Sequence, residues 1–140
     1  MADLQPIIEK LHRESCSCVI ANGDVMLLCH GRGVSDLWRL LGEQPEVLDG
    51  ALVADKVVGK GAAALMVLGR VAAVYTDLIS RPALNLLQDA GIDVEYGECV
   101  PNIINRAGND ICPVEKLCAD AATAAECLPL IDSFISQMKK

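Results

Sequence analysis

The sequence predicts a three-layer α/β/α sandwich built on a mixed five-stranded sheet, and three observations carry that prediction. Asn22-Gly23 lies between two apolar, β-like runs, the strongest short-range hairpin signal a sequence offers. Downstream of it, helical and strand-like segments alternate, the pattern of a sheet covered by crossover helices. Between them, Gly50–Gly69 (GALVADKVVGKGAAALMVLG) reads as a buried strand, a charged turn and an alanine-rich helix.

The chain opens on a helical stripe of Leu4, Ile7, Ile8 and Leu11, with Pro6 near the helix start, where a missing N–H costs little. Strands follow at Ser17–Ala21 and Val25–Cys29. Ser35 is placed to cap a helix carrying Leu37, Leu40 and Leu41, which Gly42 and Pro45 end. Ala51–Ala54 is apolar on both faces, and Asp55-Lys56 is expected to close that strand before a helix that stops at Gly69, its small residues letting it press close to the sheet. Val71–Tyr75 is the next strand, closed by Thr76-Asp77. Ser80 can cap the helix after it, with Pro82 in the first turn and Gly91 at the carboxyl end. Ile92–Glu98 alternates apolar and polar, as a half-exposed strand does. A long connection, Cys99–Asp110, leads to a helix over Cys112–Cys118 with Asp110 as its expected cap, then to a helix from about Thr123 to Met138. Pro129 predicts a kink or restart in that helix. Right-handed crossovers are expected to place helices on both faces of the sheet.

The 140 residues, 1–140, suit one domain, and 52% apolar residues with 22% charged are enough for a substantial core. A net charge of −7 repels phosphate backbones, and Trp38, Tyr75, Tyr96 and Phe134 are too few aromatics for a base-stacking platform, so no nucleic-acid role is expected. No membrane role is expected either, since no stretch approaches ~18 consecutive apolar residues. The amino-terminal segment lacks a signal-like apolar run, and seven irregularly spaced cysteines fit reduced thiols; together these predict a cytoplasmic protein.

Candidate chemistry gathers where strands end, because ligands of open α/β sheets bind outside the carboxyl ends of strands. Gly59-Lys60 at a helix start offers free N–H groups to an anion, although the full phosphate-loop pattern is absent. Asp55 is a possible hydrogen-bond acceptor or a partner of Lys56 or Lys60. Arg106, beside Asn105 in the long loop, suits a phosphate or carboxylate clamp as well as a solvated loop position. Cys112 precedes Pro113 at a helix start, where a thiolate is favoured, and Lys116 lies one turn on. Burial as a small hydrophobe is the commoner fate of such a cysteine. His30, at a strand end, is the better placed of the two histidines to act as a base. Cysteine spacing gives no zinc pattern, so neither a metal nor a cofactor is expected.

Leu52–Met66, Val100-Pro-Asn-Ile, Asn105-Arg106 and Cys112-Pro-Val-Glu-Lys116 together resemble an uncharacterised bacterial family, a domain of unknown function with a cytidine-deaminase-like fold. The element order matches that fold. Zinc deaminases hold their metal with a His or Cys ahead of an Ala-Glu and with Pro-Cys-x-x-Cys at the next helix start. Here Gly33–Asp36 and Val58–Gly61 stand at those points by element order; in the other register Val58 and Lys60 replace the His and Glu, and Ser80 and Ala83 the cysteines. Neither register supplies three ligands. The resemblance therefore implies a deaminase-like fold without the zinc site. The expected function is a small-ligand binding protein, anionic or nucleotide-like in preference, with Asp55, Lys60, Ser80, Asn105, Arg106 and Lys116 around the ligand. The alternatives are a metal-independent enzyme with Cys112 as nucleophile, and a structural or interaction protein; a homo-oligomer is expected by analogy with deaminases.

Overall fold

The computed structural model of the chain describes residues 3–31, 34–105 and 107–138. In chain order the elements are α1 (Gln5–Arg13), β1 (Cys18–Asn22), β2 (Val25–Cys29), α2 (Ser35–Glu43), α3 (Pro45–Leu48) and β3 (Leu52–Val58). After them come α4 (Lys60–Gly69), β4 (Ala73–Ser80), α5 (Arg81–Asp89), β5 (Asp93–Val100), α6 (Pro113–Cys118) and α7 (Ala124–Met138). The strands form one mixed five-stranded sheet in the order β2-β1-β3-β4-β5. β1 runs antiparallel to both its neighbours, while β3, β4 and β5 are parallel.

The hairpin forms as the sequence predicts. Asn22 pairs with Val25 across Gly23-Asp24, and Gly23 takes φ +59°, a conformation that costs glycine nothing. Helices lie on both faces, as expected, but the crossover helices do not divide between them. Among the described residues only α1 covers one face, setting Leu4, Ile7 and Leu11 against Val19, Ala54 and Ala73. Side chains of α2, α4, α5, α6 and α7 join the larger cluster on the other face. The order β3-β4-β5 advances in one direction, so crossovers of one hand deliver α4 and α5 to the same side.

α4 is the centre of that larger layer, and Gly61 through Met66 are all buried. Its glycines mark close approaches to helices, where the sequence suggested approach to the sheet. A Cβ on Gly61 would lie 2.3 Å from Val114 of α6, and one on Gly69 would lie 2.8 Å from Leu48 of α3.

β3 and β4 both run past their expected ends. Asp55-Lys56 and Thr76-Asp77 lie inside the strands, because the polar side chains find partners without breaking the ladder. Thr76 Oγ1 donates to the Leu78 carbonyl at 2.8 Å, and Asp77 Oδ1 meets His12 Nε2 at 2.7 Å and accepts from the Tyr75 hydroxyl at 2.6 Å.

Ser80 does cap α5, accepting the Ala83 N–H at 3.3 Å. Ser35 instead lies within α2, with Val34 at the cap position. Asp110 does not cap α6: Cys112 occupies that place, and the Asp110 carboxylate takes Lys116 Nζ at 2.5 Å and the Ile111 N–H at 2.7 Å. The short helix α3 has no counterpart in the sequence reading. Pro129 sits inside α7, which continues through it from Ala124 to Met138 without restarting.

Candidate functional site

At the carboxyl edge of the parallel strands, α4 and α5 begin side by side, and their starts converge on one buried carboxylate. Glu115, 2% exposed, projects from the third position of α6. Its Oε1 accepts the Lys60 N–H at 2.7 Å and the Ser80 hydroxyl at 2.8 Å, and its Oε2 accepts the Ile103 N–H. Three donors aimed at one point are complementary to negative charge, and a helix start adds positive dipole. The chain supplies that charge itself. The same donors are the wrong polarity for a cation, and Val58, Lys60, Ser80 and Ala83 offer no thiolate or imidazole, so these residues do not fit a deaminase-type zinc.

The predicted ligand residues part company around this junction. Lys60 and Ser80 meet through Glu115, while Lys60 Nζ donates to the carbonyls of Ala119 at 3.2 Å and Ala121 at 2.6 Å. Lys116 is held outward by Asp110. Asn105 shapes its own turn, its Oδ1 accepting from Gly108 N at 2.9 Å and Asn109 N at 3.2 Å. Arg106 lies outside the described residues. Cys112 is half-buried, with its N–H donating to the Ile103 carbonyl and its carbonyl accepting from Lys116 N.

Asp55 belongs to a different constellation. Cys29, Cys18, Asp55, Thr76 and Tyr96 are successive register partners across β2, β1, β3, β4 and β5, forming a row on the α4 face of the sheet. Burial pushes the Asp55 carboxyl up to about 7. The hydrogen bond from Cys18 holds the Cys29 thiol below its ordinary range, whereas the same bond and burial push Cys18 well above it.

The Cys29 end of this row opens into a cleft of about 340 Å³ between β2 and α2. Leu27, Leu28 and Leu40 give it apolar walls, and His30, Asp36, Arg39 and Gln44 line it with polar groups. Its mouth is shaped by close contacts: Ser17 Oγ donates to the carbonyls of Cys29 and Gly31, both at 3.0 Å, and the Gly31 N–H donates to Asp36 Oδ2 at 2.7 Å. A Cβ on Gly31 would lie 2.5 Å from that oxygen, so a larger residue there would displace the Asp36 carboxylate. Arg39 reaches Asp36 at 3.6 Å, a loose pair that leaves guanidinium donors for another acceptor. A second hollow of about 260 Å³, between α2 and α7, has neither a thiol nor an imidazole in its lining.

Sequence reasoning missed Glu115 as a partner and missed the Cys18–Cys29 pair. The second was within reach, since a two-residue hairpin loop after Asn22 sets Cys18 opposite Cys29. Glu115, three residues after the cap position, reads by rule as a capping-box residue reaching back to its own helix. It turns instead to two other helices.

Among the described residues, no group of three or more His, Cys, Asp or Glu could hold a metal ion, and no helix is long and apolar enough to cross a membrane. The architecture is thus an α/β protein with a mixed five-stranded sheet, an internally neutralised edge and a polar side cleft. Residues 6–135 match the family described as Domain of unknown function (DUF1893), and the chain belongs to that family. It is similar to a DUF1893-family protein (TM1506) from Thermotoga maritima, known from a crystal structure, with 26% identity, a TM-score of 0.85, and coverage of 93% of this chain and 88% of that one. No curated protein matches the chain.

Proposed function

We propose that this chain is a small-ligand binding protein on a cytidine-deaminase-like scaffold, without zinc chemistry, and that the ligand is a small anionic or nucleotide-like molecule held in the β2–α2 cleft. The observation that carries this reading is the cleft itself: about 340 Å³, apolar-walled, with His30, Asp36, Arg39 and Gln44 converging on it. Small-molecule sites have that composition, and the volume lies in the lower part of their usual range. Arg39 supplies a fork for carboxylate or phosphate, and Asp36 accepts a hydroxyl or amino group. The carboxyl edge is less suited to an outside anion, because Glu115 already takes the donors of Lys60, Ser80 and Ile103. The scaffold assignment rests on the element order.

A thermal-shift panel of nucleoside monophosphates, sugar phosphates and small dicarboxylates tests the reading on wild type, Arg39→Ala and Lys116→Ala. A ligand at a hundred times its Kd adds about 2.7 kcal/mol, an easily measured rise in Tm. The expected result is stabilisation of wild type and Lys116→Ala that disappears in Arg39→Ala. Failure of every compound counts against ligand binding, and loss of stabilisation in Lys116→Ala alone moves the site to the carboxyl edge.

A further inference from the structure

Independently of any ligand in the cleft, we propose that Cys18 and Cys29 form a hydroperoxide-responsive dithiol in which Cys29, lining the β2–α2 cleft, is oxidised first and Cys18 resolves it to a disulfide. The two residues are direct partners across antiparallel strands, and their side chains lie on the same face. Such partners sit roughly 4.5 or 5.5 Å apart at Cα, within the ~4.4–6.8 Å that a disulfide spans. Their register thus meets the Cα spacing that a disulfide requires. Both thiols are buried, Cys29 at 6% and Cys18 at 5% exposure, but Cys29 lines the cleft and Cys18 does not. The Cys18 thiol lies between Cys29 and Asp55, the register partners on either side.

The chemistry follows from that order. The Cys29 thiolate attacks one oxygen of the peroxide; an S–O bond forms, the O–O bond breaks, and hydroxide or alkoxide leaves. Sulfur is oxidised by two electrons and the peroxide is reduced. Cys18 then attacks the Cys29 sulfenic acid as its proton passes to the Asp55 carboxylate. The S–S bond forms, the S–O bond breaks, and the departing hydroxide takes up a proton to leave as water. The hydrogen bond that favours the Cys29 thiolate and the raised carboxyl of Asp55 suit these two roles.

The test is a hydrogen peroxide titration of the reduced protein, followed by non-reducing peptide mapping and dimedone trapping of sulfenic acid. Cys118 and Cys127, a second adjacent thiol pair with both members fully buried, are the internal comparison. The expected first product is a Cys18–Cys29 disulfide, formed about tenfold or more faster than a Cys118–Cys127 disulfide. Cys18→Ser should accumulate dimedone-labelled Cys29, while Cys29→Ser should leave Cys18 unlabelled. Uniform oxidation of all the thiols in wild type, or a first disulfide elsewhere, overturns the proposal, and neither result depends on whether the serine variants fold.

Discussion

Glu115 Oε1 accepts the Lys60 N–H at 2.7 Å, so that a carboxylate from α6 caps a helix fifty-five residues earlier in the chain. The Gly59-Lys60 turn therefore faces an internal anion. Because Ser80 and Ile103 donate to the same carboxylate, one side chain ties together α4, α5, α6 and the loop after β5.

Glu115→Ala should destabilise the protein by about 3 kcal/mol or more, since it strands two buried donors and a part-buried one. Glu115→Gln keeps the shape and one acceptor oxygen but turns an amide toward donors, so a loss of about 1–2 kcal/mol is expected. Urea denaturation measures both, and equal losses would contradict the bonding scheme.

Ser80 both caps α5 and donates to Glu115, so Ser80→Ala should cost about 1–2 kcal/mol. The two sites share a bond, so the double variant Ser80→Ala/Glu115→Gln should lose clearly less than the sum of the single losses. Strict additivity in the double-mutant cycle would show that the bond contributes nothing.

Much of this was legible in the sequence, and the limits have physical causes. The hairpin, the buried strand at Leu52–Ala54, the alanine-rich helix and the Ser80 cap are local features, fixed by turn chemistry, periodicity and capping. Asp55 and Thr76 misled because a polar residue normally ends a buried strand; here Thr76 bonds its own strand and Asp55 shares a row with Cys18. The Glu115 junction joins residues far apart in the chain, which no local pattern encodes. For the same reason Lys60 and Lys116, which looked like free cations in the sequence, turn out to be bound to carbonyls and to Asp110.

Gly61→Ala should destabilise despite the better helix propensity of alanine. The gain of about 1 kcal/mol from propensity is outweighed by a methyl group 2.3 Å from Val114 Cγ1, since overpacking costs about 1–3 kcal/mol. Adding Val114→Ala should restore most of the loss in Gly61→Ala; no rescue in thermal melts would argue against contact between α4 and α6.

Asp55 makes stability depend on pH in the less usual direction. Its carboxyl titrates near 7 when folded against 3.8 as the reference, so between those values the native state holds the extra proton. Stability from this group is full below about pH 4, falls as pH rises toward 7, and levels off above it. Asp36 adds to the effect and the neighbouring backbone N–H groups of Lys56 and Val57 oppose it. Asp55→Asn should therefore be more stable than wild type at pH 8, with the advantage shrinking toward pH 5, as denaturation at several pH values will register.

The most direct test of the central claim is an amide NMR titration of the full chain with a nucleoside monophosphate or sugar phosphate that raises its Tm. Saturable shifts clustered at Gly31, Asp36 and Arg39 are the predicted result. Shifts confined to Lys60, Ile103 and Lys116, with the β2–α2 cleft unmoved, would contradict it.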